Sequence, residues 1–220
     1  ETFKTNYYYL HYNNRKDINS IKFKINNYKL EKNMVKVKVE YSSLNFKDLA
    51  VIMGLIDDDN IGYEFSGKVI ESGSSNFKEG DLVCCYPENG KGFGNICLVD
   101  EKYIFKVPQE LDLKLLSSIG ISYGTAYLAL VYFANIQKND LVLIHNASGA
   151  LGLASLEITK MIGCKVIASC STKEKEEYLR NNYSNIVLIT DSRDYDKYTN
   201  DINNFTENEG VDVILASSYD

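Results

Sequence analysis

The sequence predicts an α/β protein in two parts: a β-rich, barrel-like domain first, then a doubly wound parallel sheet. Three observations predict it. Short apolar-alternating runs fill the first half of the chain. Beyond residue 140 strand-like and helix-like stretches alternate, the pattern of a parallel sheet with crossover helices. Leu141–Gly163, LVLIHNASGALGLASLEITKMIG, joins a strand to a helix through a turn of small residues. With 220 residues, 45% hydrophobic and 25% charged, the chain is long and apolar enough for one or two globular domains.

The N-terminus, ETFKTNYYYLHYNN, is polar and tyrosine-rich and does not read as a signal peptide. Met34–Tyr41 alternates apolar and charged residues, a strand with one wet face. Gly67–Ser72, Gly80–Tyr86, Asn95–Val99 and Tyr103–Val107 continue the series at the short spacing of a small antiparallel barrel. Pro108 closes it.

From there the apolar period becomes helical, over Leu113–Ile119 and Thr125–Ala134. Strands are expected at 141–145, 165–169, 186–190 and 211–215, and helices at 150–162, about 172–182 and about 195–206. The expected domains are 1–119 and 120–220. A full dinucleotide sheet has about six strands. The sequence therefore predicts a sheet cut after its fourth strand, part of a longer polypeptide. An isolated chain of this kind would expose an unfinished parallel edge and be poorly stable.

Strand, tight turn and helix form the geometry that receives a dinucleotide pyrophosphate, the Rossmann arrangement. The spacing is A-x-G-x-x-G, with Ala147 where the commoner fingerprint has its first glycine. Gly149 is expected to make the tight turn and Gly152 to let the helix pack close to the strand. Ser148, Ala150 and Leu151 complete the loop and helix start, whose unpaired N–H groups face the anion. An ordinary βαβ crossover with a glycine in its turn would look similar.

Cofactor choice is read at the end of the second sheet strand. NAD-binding folds usually carry an acidic residue there. Here Cys170 takes that place, followed by Ser171, Thr172, Lys173 and Lys175. Hydroxyls and ammonium groups suit a 2′-phosphate, which favours NADPH. The same residues also suit a helix start capped by Ser171 or Thr172, with Glu174 and Glu176 on its dipole.

A net charge of −6 gives no basic footprint for nucleic acid or an anionic membrane. No apolar run approaches the ~20 residues of a membrane helix. The five cysteines show no C-x-x-C spacing, so buried free thiols in a reducing cytoplasm are expected.

Several local segments resemble one family. Ser43–Asp48, SLNFKD, resembles the LNFRD segment of the enoyl reductase domains of polyketide synthases and animal-type fatty acid synthases. Gly62–Gly67, GYEFSG, is similar to their GSEGAG, and Gly80–Val83 to their GDRV. Gly124–Tyr127 is similar to their LTAYY, Leu143–Gly152 to their VHSAAGGVG, and Arg15–Phe23 occupies the place of their PGSLDSLR. This family lies in the zinc-free part of the medium-chain dehydrogenase/reductase superfamily, whose first domain is GroES-like. The resemblance spans essentially the whole chain.

It implies NADPH-dependent reduction of an α,β-unsaturated thioester held by phosphopantetheine on acyl carrier protein, alongside the other domains of the same synthase. Neither nucleic acid nor membrane is an implied partner, and a homodimer is left open. A metal is not expected: zinc-using relatives carry His-Glu where this chain reads Tyr63-Glu64, and His11 and His145 are its only histidines. His145 suits a packed or locally bonded role. Thr125 matches a threonine that contacts the nicotinamide, with a helix N-cap or packing as its alternative. Asn45 matches an asparagine near the nicotinamide, with an Asx turn as its alternative. Lys47 and Asp48 suit a local ion pair or helix start better than catalysis, and Tyr63 suits core packing better than a place facing the cleft. The family's proton donors would lie past Asp220. Ala216 stands where the family strand, VLNSL, has asparagine. That departure keeps open a degenerate, scaffolding domain, and a free-standing quinone oxidoreductase-like enzyme is the other alternative.

Overall fold

A computed structural model describes residues 7–216, and the chain divides into two compact units at Ile121 and Ser122.

The first unit opens with a hairpin that the sequence reading did not contain: β1 (Tyr7–Tyr12) pairs antiparallel with β2 (Ile21–Asn26). It continues through β3 (Met34–Ser42), α1 (Phe46–Ile52), β4 (Phe65–Ser72), β5 (Leu82–Cys85), β6 (Ile96–Asp100), β7 (Ile104–Lys106) and the short α2 (Leu113–Leu116). β3 to β7 form one antiparallel sheet in the order β6-β3-β4-β5-β7. Val35 and Val37 alternate onto its buried face, against Phe65, Val69 and Val83. The other face of β3 is less wet than alternation predicts. Lys36 is buried, ion-paired with its cross-strand partner Glu71, and lies 5.3 Å from the Tyr7 ring centroid.

α3 (Gly120–Tyr127) begins before the division and runs into a wider π-helical turn, Leu128–Phe133. The predicted helix at Leu113–Ile119 is thus shorter, and the one at Thr125–Ala134 starts earlier and changes its winding. The second unit then alternates as expected: β8 (Leu141–Ile144), α4 (Ala150–Ile162), β9 (Lys165–Cys170), α5 (Lys173–Asn182), β10 (Ile186–Asp191), α6 (Tyr195–Phe205) and β11 (Val213–Leu215). Its strands are parallel in the order β10-β9-β8-β11, so the winding direction reverses between β8 and β11. Val142 and Ile144 pack with α4 residues such as Leu156 on one face. Leu143 and Ile167 pack with Ile202 of α6 on the other. This is the doubly wound arrangement. α4 stops at Gly163, whose φ of 92° is the left-handed conformation that ends helices.

All five cysteines are free and buried. Burial pushes the Cys84 thiol up to about 11 and the Cys97 thiol up to about 12. No helix among the described residues is long and apolar enough to cross a membrane.

Candidate functional site

The nucleotide turn differs in detail from the sequence expectation. Its left-handed residue is Asn146, at φ 52°. Gly149 is the N-cap of α4 in an extended conformation, at φ −80° and ψ 169°. Asparagine tolerates the left-handed region, and here it is anchored: Ser169 Oγ accepts the Asn146 N–H at 3.1 Å and Ser169 O the Ala147 N–H at 2.9 Å. Gly152 is buried against the turn rather than the strand, because a Cβ there would stand 2.5 Å from the Ala147 carbonyl oxygen. Ala147 is itself fully buried. The first intrahelical bond runs from Leu153 N–H to Gly149 O at 2.8 Å. The N–H groups of Ala150, Leu151 and Gly152 lie ahead of it, beside half-buried Ser148. The donor set and the close approach fit a pyrophosphate.

At the end of β9, Thr172 caps α5 by accepting the Lys175 N–H at 3.3 Å, with Glu174 and Glu176 in the first turn. A cavity of about 250 Å³ opens beside it, lined by Ser171, Thr172, Lys173, Thr190, Asp191 and Lys197, among others. Lys175 is exposed and does not line it. Lys197, contributed by α6, is the cation that the sequence reading missed. It is about two dozen residues from the motif, and no local pattern links them.

A second cavity, about 340 Å³, sits by the carboxyl ends of β8, β10 and β11, lined by His145, Ser192, Arg193, Tyr195, Tyr198 and Ala216, among others. The His145 N–H bonds Leu215 O at 3.0 Å, and its ring meets Tyr198 edge-on. His145 is thus packed and locally bonded.

In the first unit, the LNFKD segment turns into α1 at Asn45. The fully buried Asp48 carboxylate accepts the Asn45 N–H at 2.8 Å and the Gly62 N–H at 2.6 Å. Burial raises its pKa, and those two N–H bonds oppose the shift. Asp48 therefore starts the helix, but it is not Lys47's partner. Lys47 reaches Asp58 at 3.9 Å and lies over the Tyr63 ring at 3.5 Å. Tyr63 is buried, its hydroxyl donating to Asn60 O. Asn45 is the N-cap of α1 in a capping box with Asp48, the local role that was its alternative, and its side-chain amide donates to Glu64 Oε1 at 3.0 Å and Ser43 Oγ at 3.4 Å. Glu64 is fully buried and also accepts from Ser43 Oγ at 2.5 Å and Ile121 N–H at 2.9 Å. Sequence reasoning used it only as a contrast with zinc ligands. Thr125 is exposed inside α3, so it is neither an N-cap nor a packing residue.

Residues 31–126 match the alcohol dehydrogenase GroES-like domain family. The chain is 36% identical over 186 residues to the highly reducing polyketide synthase claI of Penicillium crustosum, covering 82% of this chain and 8% of that protein. It is 32% identical over 194 residues to the squalestatin tetraketide synthase of Phoma sp., covering 84% and 7%. The chain thus spans under a tenth of these curated relatives. The CurK enoyl reductase superposes with a TM-score of 0.87 at 25% identity, covering 96% of this chain and 67% of that one. The Escherichia coli quinone oxidoreductase complexed with NADPH superposes at 0.87 with 18% identity, a likeness of fold.

A GroES-like unit followed by a dinucleotide sheet defines the class, a medium-chain dehydrogenase/reductase. Within that superfamily the chain is similar to the enoyl reductases, and the relatives that it matches are reducing polyketide synthases.

Proposed function

We propose that this chain works as an NADPH-dependent enoyl reductase of a polyketide or fatty acid synthase, saturating an enoyl thioester on acyl carrier protein. The observation that carries the reading is the turn between β8 and α4. There Gly152 lies against Ala147, and free helix-start N–H groups stand at the point where strand order reverses.

Residues 147–152 hold the pyrophosphate through backbone N–H groups. Ser171, Thr172 and Lys175 serve the 2′-phosphate, and Lys173 and Lys197 add two ammonium groups lining the adjoining cavity. When bound, NADPH supplies a hydride to the β-carbon of the thioester. Thr125 and Asn45 contact the nicotinamide. The partners are acyl carrier protein and the other domains of the same synthase, in the cytoplasm. Structural likeness to an NADPH-bound quinone oxidoreductase supports a second reading, in which the acceptor is a quinone or small enone. Ala216, in the second cavity, supports a third, a degenerate domain.

Steady-state oxidation of NADPH by the full-length protein tests these readings. Turnover of an enoyl-pantetheine thioester, with NADH at least ten times less effective, is expected. Turnover of a quinone alone favours the second reading, and NADPH binding without turnover favours the third.

A further inference from the structure

The β1–β2 hairpin carries a strand edge that the proposed cofactor and substrate sites do not use. Among the described residues β2 pairs with β1 alone, so the outward N–H and C=O groups of Ile21–Asn26 have no strand beside them. The two faces at that edge differ. Phe23 and Ile25 share a face with Tyr8: the Phe23 and Tyr8 rings meet edge-on at 5.3 Å, and Ile25 stands directly opposite Tyr8. Lys22 and Lys24 alternate with them and lie on the other face.

A sheet face that stays in water is normally polar. Here Phe23 is 61% exposed and Ile25 58%. The same face is covered at its other end, where Leu10 and Ile21 pack on the cluster of Tyr12, Val51 and Tyr63. The hairpin is thus anchored at one end and apolar but open at the other.

Charge decides what fits the open end. Residues 7–38 hold eight lysines and arginines against Asp17 and Glu31, in a chain whose net charge is −6. Any two-fold antiparallel pairing of β2 with a second copy, centred on its middle, sets lysine opposite lysine, which is unfavourable. A strand that alternates acidic and apolar residues meets the lysines with carboxylates on one face and covers Phe23 and Ile25 on the other. A lipid surface or a nucleic acid would engage the lysines and leave the main-chain edge without a strand.

We propose that the outer edge of β2 docks an extended, alternately acidic and apolar segment of an adjoining domain of the same synthase, which adds a third strand to the hairpin. This rests on the proposed reading of the chain as one domain of a larger synthase.

Two measurements on the full-length protein test it. Carbodiimide joins lysine amines to carboxylates in contact with them. Mass spectrometry of the digest is expected to find Lys22 or Lys24 joined to an Asp or Glu outside residues 1–220, in a stretch of alternating acidic and apolar residues. Hydrogen exchange is expected to show slow amides along β2. Phe23→Ser should weaken the crosslink. Phe23→Ser and the double variant Lys22→Glu with Lys24→Glu should each speed β2 exchange by about tenfold and leave β3 and β4 unchanged. All three side chains are exposed, so NADPH binding is expected to stay as in the wild type.

Crosslinks that are absent, or confined to residues 1–220, overturn the proposal. So does β2 exchange that neither variant alters, or β2 protection that appears only when phosphatidylserine vesicles are added. A full-length protein with further domains and an unprotected β2 defeats this inference alone. A full-length protein without further domains defeats the synthase reading on which it rests.

Discussion

Gly152 and Ala147 are in contact across the nucleotide turn, so close that a Cβ on Gly152 would stand 2.5 Å from the Ala147 carbonyl oxygen and 2.6 Å from its Cα. Backbone atoms cannot yield as a side chain does. Gly152→Ala must therefore displace the first turn of α4 and its free N–H groups, at about 1–3 kcal/mol of overpacking. NADPH affinity is expected to fall by about tenfold or more, with a Tm several degrees lower. Gly149→Ala is the control. Its φ is ordinary for any residue, and the nearest contact is Asn146 O at 3.3 Å. Fluorescence titration and thermal melts of the two variants separate a steric requirement for glycine from a general dislike of substitution in the loop.

Lys197 reaches the cavity beside Ser171 and Thr172 from a different helix. A charge-assisted bond to phosphate is worth roughly 1.5–3 kcal/mol when partly shielded. Lys197→Ala should therefore raise the Kd for NADPH by about tenfold and leave that for NADH where it was. Equal weakening of both would mean that Lys197 supports α6 and does not face the 2′-phosphate. Lys173→Ala is expected to act in the same direction.

Asp48 makes stability depend on pH in an unusual direction. Burial raises its carboxyl in the folded state above the unfolded value near 3.9, despite its two N–H bonds. The folded protein holds that proton more tightly than the unfolded chain. The contribution of Asp48 is thus fully present below the unfolded value and is lost as pH rises through the raised folded value. Asp48→Asn keeps an oxygen acceptor and removes the titration. Urea midpoints of the two proteins between about pH 4 and 7 should show wild type losing ground to Asp48→Asn as pH rises. A difference that is constant with pH would contradict the assignment.

The cysteines should be silent. All five are buried, and burial lifts Cys85 and Cys97 well above the ordinary thiol range. Native protein at pH 8 is expected to react slowly or not at all with a thiol reagent, and all five groups to react once it is unfolded in denaturant. Rapid labelling of the native state would point to local opening around whichever cysteine is modified.

What was legible in the sequence is the part that local chemistry dictates. α4 runs over the predicted residues because glycines mark both ends and no proline interrupts it. β8, β9 and β10 announce themselves by apolar content. The β1–β2 hairpin escaped because YYYLHY has neither clean alternation nor a glycine turn after it. The start of α3 escaped because Gly120 reads as a breaker, whereas a Cβ there would strike the Tyr86 ring. The tight turn was assigned to the glycine, but Asn146 makes it, held by Ser169 from the neighbouring strand. Glu64 and Lys197 were invisible for one reason. Their significance lies in partners from distant segments, Ile121 for the first and the Ser171–Thr172 corner for the second.

The measurement that tests the central claim most directly is isotope transfer by the full-length protein. NADPH deuterated at the transferable position is supplied with an enoyl-pantetheine thioester, and the product is examined by mass spectrometry and NMR. The account expects a saturated thioester carrying a single deuterium at the β-carbon. Unreacted thioester in a protein that binds NADPH, or deuterium appearing only on an added quinone, would contradict it.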